Sequence, residues 1–547
     1  MTAYGVALDL GTSGFRAQAI DLENGKTVST AITVRHPLPG ANVMDHVNYA
    51  IEAGEGEGNK LIISTVDRLV RRLQIDPRSI VRVAVCGNPF QLSLFQNIEV
   101  RDLAYAGRRK LEALKVVPPK RDGDVIPASD LGLHLGEAAE VIIPPAVGHE
   151  IGADALAMLL MTGALEEKGP CMVIDYGTNA EMALVADGQI FTGSAAAGPA
   201  LEGQEVQMGM LAAPGAISDV NMSEEGWTCS VLDDEFMPVM GDTVDPTIGK
   251  RIMSGPMHGR SKGITGTGVV AALSCGLAAG LIVPPKIGTA DHAIHLQDGI
   301  MINERDVSEA GKAIGAIRAG YLTLMNLAGV GIMDVRTAFM SGATGIYVDA
   351  IKAQRLGLVP IGADRIVQIG NTSLSLAREM VMRPEKLDEL RTFARGLRST
   401  HCMFATSETF KNIYSIELSL WTYGMPMSAY NDMLDIYSLP HMPLEPTPNV
   451  AAVKRMDRDI PDLGPLGIAI LPRIGVELCC TVPGCTRCQK CVDSCPEDAL
   501  DISFEEGGSV VSIRSELCAG TACRRCEMAC PSKVLHLSGT KAKDIAF

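Results

Sequence analysis

Two cysteine runs near the carboxyl end limit most tightly what this 547-residue chain can fold into. The first, CTRCQKCVDSCP, places Cys485, Cys488, Cys491 and Cys495 at C-x2-C-x2-C-x3-C-P spacing. The second supplies Cys518, Cys523, Cys526 and Cys530-Pro531, with its first gap widened by two residues. In a bacterial-type pair of cubanes, three thiolates of such a run hold one cluster and the fourth crosses to the other. The spacing therefore predicts two [4Fe-4S] clusters, one held by Cys485, Cys488, Cys491 and Cys530, the other by Cys518, Cys523, Cys526 and Cys495. Zinc favours two separated C-x2-C pairs and leaves the two Cys-Pro endings unexplained. Cys479 and Cys480 stand outside both runs as spare thiols, while Cys86, Cys171, Cys229, Cys275 and Cys402 sit in apolar stretches and are expected in cores.

A chain this long exceeds one hydrophobic core, so several compact units are expected. Its formal charge of −16 argues against nucleic acid, because phosphate affinity requires clustered Lys and Arg. The start shows no basic segment leading into an apolar one, so the thiols are expected in the reducing cytoplasm. Gly263 to Pro285 is uncharged, yet its early glycines and threonines and its Pro-Pro stop predict a glycine-rich loop feeding a buried helix rather than a membrane span.

The opening, YGVALDLGTSGFRAQAIDLENGK, predicts an apolar strand, a tight turn, a second strand and a turn at Asn24-Gly25. The same pattern returns at CMVIDYGTNAEMALVADGQI, from Cys171 to Ile190. In the first copy, Asp9, Gly11, Thr12, Ser13 and Gly14 bring backbone N–H groups and hydroxyls to where phosphate oxygens could sit, with Asp9 placed to hold hydrated Mg²⁺. In the second, Asp175, Gly177, Thr178, Asn179 and Glu181 repeat that chemistry. Elsewhere, helical patterns at His149–Gly163 and Gly311–Val330 alternate with apolar strands, which predicts α/β architecture. The pattern is weak from 374 to 437, and 439–467 reads as a proline-rich linker.

The paired loops resemble those of the actin, sugar-kinase and Hsp70 (ASKHA) superfamily, with SGATG, Ser341 to Gly345, as adenosine loop. The resemblance adds Gly342 and Gly345 to the residues expected to bind ATP and Mg. GSAAAGPALEGQ, INERDVSEAGKAIGAIRAG, HEIGADALA and GITGTG are similar to segments of ATP-dependent reductive activators of corrinoid proteins. That family implies a two-lobed actin-like ATPase, 1–170 and 171–438, joined through the linker to a small α+β bacterial-type ferredoxin domain, 468–547. It also implies an acid that positions the attacking water before the second loop, where Glu150 and Asp154 are offered; both are equally compatible with plain surface acids. The implied activity is reduction of cobalt(II) to cobalt(I) in a corrinoid methyl-carrier protein, fed by a low-potential electron donor. Many relatives carry a plant-type [2Fe-2S] domain at the amino end, whereas here the nucleotide fold starts at once, which leaves the particular partner open. The alternatives that stay open are a small-molecule kinase with a ferredoxin tail, an activator of another metalloenzyme, and a non-enzymatic ferredoxin adaptor. His36, His46, His149 and His258 show no ligand spacing and are expected as surface or satisfied polar residues.

Overall fold

The computed structural model describes the chain apart from residues 1, 41, 106–107, 148–151, 178, 196–204, 398–400, 444, 461, 506–507 and 545–547. Two compact units emerge: Met1–Ala157 with Ser373–Gly396 and Asp462–Phe547, and Met158–Thr372 with Leu397–Pro461. No helix among the described residues is long and apolar enough to cross a membrane. The uncharged stretch instead forms the buried helix Gly266–Ala278, capped by Thr265, whose hydroxyl accepts from the Gly268 N–H.

In the first unit, β1 (Tyr4–Leu10), β2 (Phe15–Asp21) and β3 (Thr27–Thr33) make an antiparallel meander. Two helices follow, α1 (Val43–Ala53) and α2 (Glu55–Arg71). Then comes β4 (Ile80–Gly87), parallel to β1, and the short helix α3 (Pro89–Phe95). An edge strand, β5 (Asp124–Pro127), pairs antiparallel with β6 (Glu140–Ile143), which lies parallel to β4. β1 is buried along nearly its whole length, which is why YGVALDL shows an apolar run rather than alternation.

Two boundaries differ from the sequence reading. Residues 374–396, expected in the second lobe, pack on the first: Arg378 Nη2 donates to Gly25 O at 2.6 Å and Arg82 Nη1 to Val381 O at 2.8 Å. The ferredoxin segment also joins the first unit, entering through strand Ile468–Leu471, which pairs parallel with β3. Its own sheet is four-stranded and antiparallel, in the order Leu500–Glu505, Gly508–Arg514, Val476–Val482, Lys541–Asp544.

The second unit repeats the opening motif. β7 (Cys171–Tyr176), β8 (Ala180–Ala186) and β9 (Gln189–Ala195) form the meander, and Thr337–Ser341, Arg365–Gln368 and Ala451–Lys454 extend the sheet in parallel from β7. Ala451–Lys454 lies inside the stretch expected to be a linker. An edge strand pairs on one side only, so a short exposed segment serves without a periodic apolar pattern.

Candidate nucleotide and iron–sulfur sites

The first loop is built at the end of β1, where Asp9 is only 5% exposed and stands opposite Arg16 of β2. Arg16 Nη1 lies 3.5 Å from Asp9 Oδ2 and donates to Gly14 O at 3.2 Å, so one guanidinium braces both ends of the turn. The Phe15 N–H donates to Thr33 Oγ1 at 2.8 Å, tying the loop to β3. Thr12 Oγ1 accepts from Asn88 Nδ2 at 3.1 Å, while Asn88 Oδ1 caps α3 by accepting from the Gln91 N–H at 2.9 Å. Loop, strand end and helix start are thus one hydrogen-bonded piece.

Asp154 opens the helix Ala153–Thr162, and its Oδ1 accepts the Ala155 N–H at 2.9 Å. Next to it, a Cβ on Gly152 would stand 2.8 Å from Gly87 O and 2.7 Å from Pro89 Cδ, so this corner is pinned against the end of β4. Asp154 keeps part of its surface open while protein atoms crowd it on most sides. Burial, with the Asp9 carboxylate adding to it, pushes its carboxyl up to about 6. The plain surface-acid reading therefore does not hold for Asp154, which is partly buried and feels the Asp9 carboxylate. Glu150, the other offered acid, lies outside the described residues.

In the second unit, Asp175 closes β7 opposite Glu181 of β8. Ser341 Oγ donates to Asp175 Oδ2 at 2.9 Å, and Ser194 Oγ donates to Glu181 Oε1 at 3.3 Å. The turn between them is closed by the Gly177 N–H donating to Asn179 O at 3.1 Å. Gly342 adopts φ +80°, and a Cβ there would lie 2.6 Å from Asp175 Oδ1, so the approach of the SGATG turn to the aspartate requires glycine. Gly345 sits on the short helix Gly342–Tyr347, its carbonyl accepting from Gln368 Nε2 at 2.6 Å. Thr178 lies outside the described residues. Arg16 and Asn88 were not singled out from the sequence, and Ser341 was named only as the start of the SGATG loop, not as a partner of Asp175. Of these, Asn88 had a signal: an Asn-Pro after an apolar strand is a helix start.

The thiols fall into two groups. Cys491 has Cys485 and Cys530 as its charged thiol neighbours, with Cys488 on the same loop. Cys495, Cys518, Cys523 and Cys526 line one partly open cavity. The fourth cysteine of each run thus stands with the other run. Burial and neighbouring thiols push Cys518 up to about 11 and Cys526 up to about 12. Cys518 and Cys526 resist becoming thiolates by themselves, and a cationic iron centre removes that cost, so the donor set fits iron–sulfur clusters. Backbone N–H groups already point at sulfur: Arg487 to Cys485 Sγ at 3.4 Å, Ala499 to Cys495 Sγ at 3.3 Å and Gly520 to Cys518 Sγ at 3.4 Å.

Sequence models of known families agree with this layout. The RACo middle region matches 4–167, the C-terminal ASKHA domain of RACo matches 169–431, and a 4Fe-4S dicluster domain matches 484–534. A [Co(II) methylated amine-specific corrinoid protein] reductase of Methanosarcina barkeri is 49% identical over 523 residues, covering 95% of this chain and 96% of that protein. The chain belongs to the RACo family of corrinoid-protein reductive activators. Another relative, the corrinoid activation enzyme RamQ of Eubacterium limosum, is 26% identical across 75% of this chain and 69% of its own length. A solved reductive activator for a corrinoid, iron-sulfur protein has the same fold, with TM-score 0.62, 24% identity, and coverage of 76% of this chain and 66% of that one. The RACo-family fold here is therefore an α/β ASKHA ATPase fold followed by a 4Fe-4S dicluster ferredoxin domain.

Two further polar groups of this RACo-family chain are structural. His36 and His46 are buried, stack at 4.0 Å and share Gln91, at 3.0 and 3.2 Å. Burial depresses both, His46 to about 4, so both rings stay neutral. Asp242, His258 and Asp298 converge, but Arg251 Nη1 sits 2.6 Å from His258 Nε2, and the Asp298 carboxylate accepts the Gly259 and Ser261 N–H groups at 3.1 and 2.8 Å. A guanidinium and two backbone donors already fill the coordination a cation would need.

Proposed function

We propose that this chain couples ATP hydrolysis to one-electron reduction of cobalt(II) in a partner corrinoid protein, restoring the cobalt(I) form that accepts a methyl group. The observation that carries the reading is the joining, in one chain, of two aspartate-anchored loops of an ASKHA fold with two thiol quartets. Gly11, Thr12, Ser13 and Gly14, with Gly177, Thr178 and Asn179, donate hydrogen bonds to the phosphates. Asp9, Asp175 and Glu181 hold the waters of Mg²⁺, and Gly342 and Gly345 leave room for the adenosine. Asp154, its carboxyl raised to about 6, accepts a proton from the attacking water, with Glu150 beside it in sequence. Cys485, Cys488, Cys491 and Cys530 hold one [4Fe-4S] cluster and Cys518, Cys523, Cys526 and Cys495 the other. Such clusters supply one-electron carriage at low potential. The electron comes from a low-potential donor in the cytoplasm. ATP cleavage gives the transfer its direction, because a partner that binds one nucleotide state better is held and released in turn.

The test is anaerobic. Iron-loaded protein, Mg-ATP and a reductant are mixed with a methylamine-specific cobalt(II) corrinoid protein while the cobalt(I) absorption is followed. Fast cobalt(I) formation that depends on ATP supports the reading, and formation at the same rate without ATP overturns it.

A further inference from the structure

The two thiol quartets face different surroundings. The quartet of Cys495, Cys518, Cys523 and Cys526 is packed against the nucleotide-binding part of the first unit. Gly40 N–H donates to Cys518 O at 2.8 Å, and a Cβ on Gly520 would lie 3.1 Å from Pro39 O. Two cations around it are engaged in that contact, Arg35 with Glu497 at 3.9 Å and Arg524 with Glu52, while Arg525, also lining the cavity, is exposed. The other quartet turns outward. Of the eight cysteines in the two runs, Cys488 alone is fully exposed.

The segments forming this outer quartet, Gly484–Asp493 and Cys530–Leu535, carry Arg487, Lys490 and Lys533 against the single carboxylate of Asp493. All three cations are exposed, and none pairs with a carboxylate among the described residues. The Arg487 guanidinium lies 5.2 Å over the ring of Phe504, itself 41% exposed. On a protein of net charge −16, these two segments are net positive and have an aromatic beside them. A local field of that kind steers an anionic partner to the spot and repels cationic ones.

We propose that electrons enter at the Cys485–Cys488–Cys491–Cys530 site, delivered by an acidic one-electron carrier protein that docks on Arg487, Lys490, Lys533 and Phe504, and move inward to the Cys495–Cys518–Cys523–Cys526 site. This rests on the reading that both quartets hold iron–sulfur clusters. In each encounter the carrier loses one electron and is oxidised, the outer site gains that electron and is reduced, and no proton or atom changes hands.

The test uses iron-loaded full-length protein and, as probe, a small acidic bacterial-type ferredoxin. In the triple variant Arg487→Glu, Lys490→Glu, Lys533→Glu, ferredoxin affinity at low salt falls by at least about tenfold, and the wild-type affinity itself falls with added salt. Cluster reduction by anionic titanium(III) citrate slows while reduction by cationic reduced methyl viologen does not. Lys168→Glu, an exposed cation of the second unit, leaves ferredoxin affinity as it was. In the wild type, carbodiimide cross-linking joins ferredoxin carboxylates to Lys490 and Lys533. Unchanged affinity in an iron-replete triple variant, or cross-links confined to other lysines, overturns the proposal. Wild-type protein that takes up no iron–sulfur cluster overturns the underlying reading instead, so the two failures are told apart; if only the variant loses iron, the wild-type cross-links decide.

Discussion

The two strand–turn–strand hairpins share a sequence pattern, yet their aspartates are held by different chemistry. Asp9 is braced by a cation, Arg16, and faces a second carboxylate, Asp154. Asp175 is held by a hydroxyl, Ser341, and faces the bare backbone of Gly342. A carboxyl raised to about 6 therefore stands with the first hairpin, while a hydroxyl holds the aspartate of the second. A repeated strand–turn–strand unit supplies the scaffold twice, but the elements that pack on each copy decide what its aspartate does.

The largest effect should come from the acid that only the first hairpin has. Asp154→Asn keeps the capping acceptor for the Ala155 N–H and removes the base, so ATP hydrolysis should fall by about 10²- to 10⁴-fold while nucleotide binding is kept. The pH profile carries the sign. The folded carboxyl titrates near 6, above the ordinary carboxylate range, so the ionised base is present above that pH and lost below it. Hydrolysis by the wild type should rise with pH around a midpoint near 6, and that limb should vanish in the variant. A profile unchanged by the substitution breaks the comparison.

Next in size are the aspartates themselves. Asp9→Asn turns the Asp9–Arg16 ion pair into a neutral contact and should cost hydrolysis, with a stability loss of up to about 1 kcal/mol. Asp175→Asn can still accept from Ser341 Oγ, so its melting temperature should stay close to the wild type while Mg-ATP affinity drops. Calorimetry and nucleotide titration on both variants separate these outcomes; equal loss of stability in the two would erase the distinction.

A third, smaller contrast lies in the glycines. Gly342→Ala forces a Cβ to 2.6 Å from Asp175 Oδ1 at φ +80°, which should cost about 1–3 kcal/mol and weaken nucleotide binding. At Gly11 the nearest atoms to an added Cβ are Gly14 O at 3.0 Å and Arg16 Nη1 at 3.1 Å, one of them the end of a flexible side chain. Gly11→Ala should therefore be the milder change in a thermal melt.

Which of these features could be read beforehand follows from their range along the chain. Both hairpins and both cysteine runs are local spacings, and a local spacing survives in the sequence. The crossing of Cys495 and Cys530 to the opposite runs was also readable, because the two-cluster pattern carries it. The helices Thr372–Met382, Lys386–Leu397 and Glu408–Trp421 fell in the stretch with weak signal, and the chain divides there, the first two helices going mainly to the first unit and the third to the second. The meeting of Asp154 with Asp9, and of Ser341 with Asp175, joins residues more than a hundred positions apart, and no spacing rule reports such a contact. The same holds for the docking of Gly40 on Cys518, which makes the ferredoxin segment part of the first unit.

The smallest expected effect sharpens the comparison most. Arg16 is the cation that braces the first hairpin, yet its side chain is about a fifth open to solvent, 22%, and its distance to Asp9 Oδ2 is 3.5 Å. An ion pair of that kind contributes roughly 0–1 kcal/mol, because solvent screens the attraction and ordering a long side chain offsets part of it. Arg16→Gln retains a donor for Gly14 O, so the turn should keep its shape and the melting temperature should move by only a few degrees. If Arg16 matters instead by balancing Asp9 against Asp154, its loss leaves two carboxylates facing each other. The midpoint of the hydrolysis profile then shifts above its wild-type value near 6. A small change in stability together with an upward shift in that midpoint is the expected pair. A large stability loss with an unmoved midpoint would make Arg16 a structural brace, and the chemical difference between the hairpins would rest on Asp154 alone.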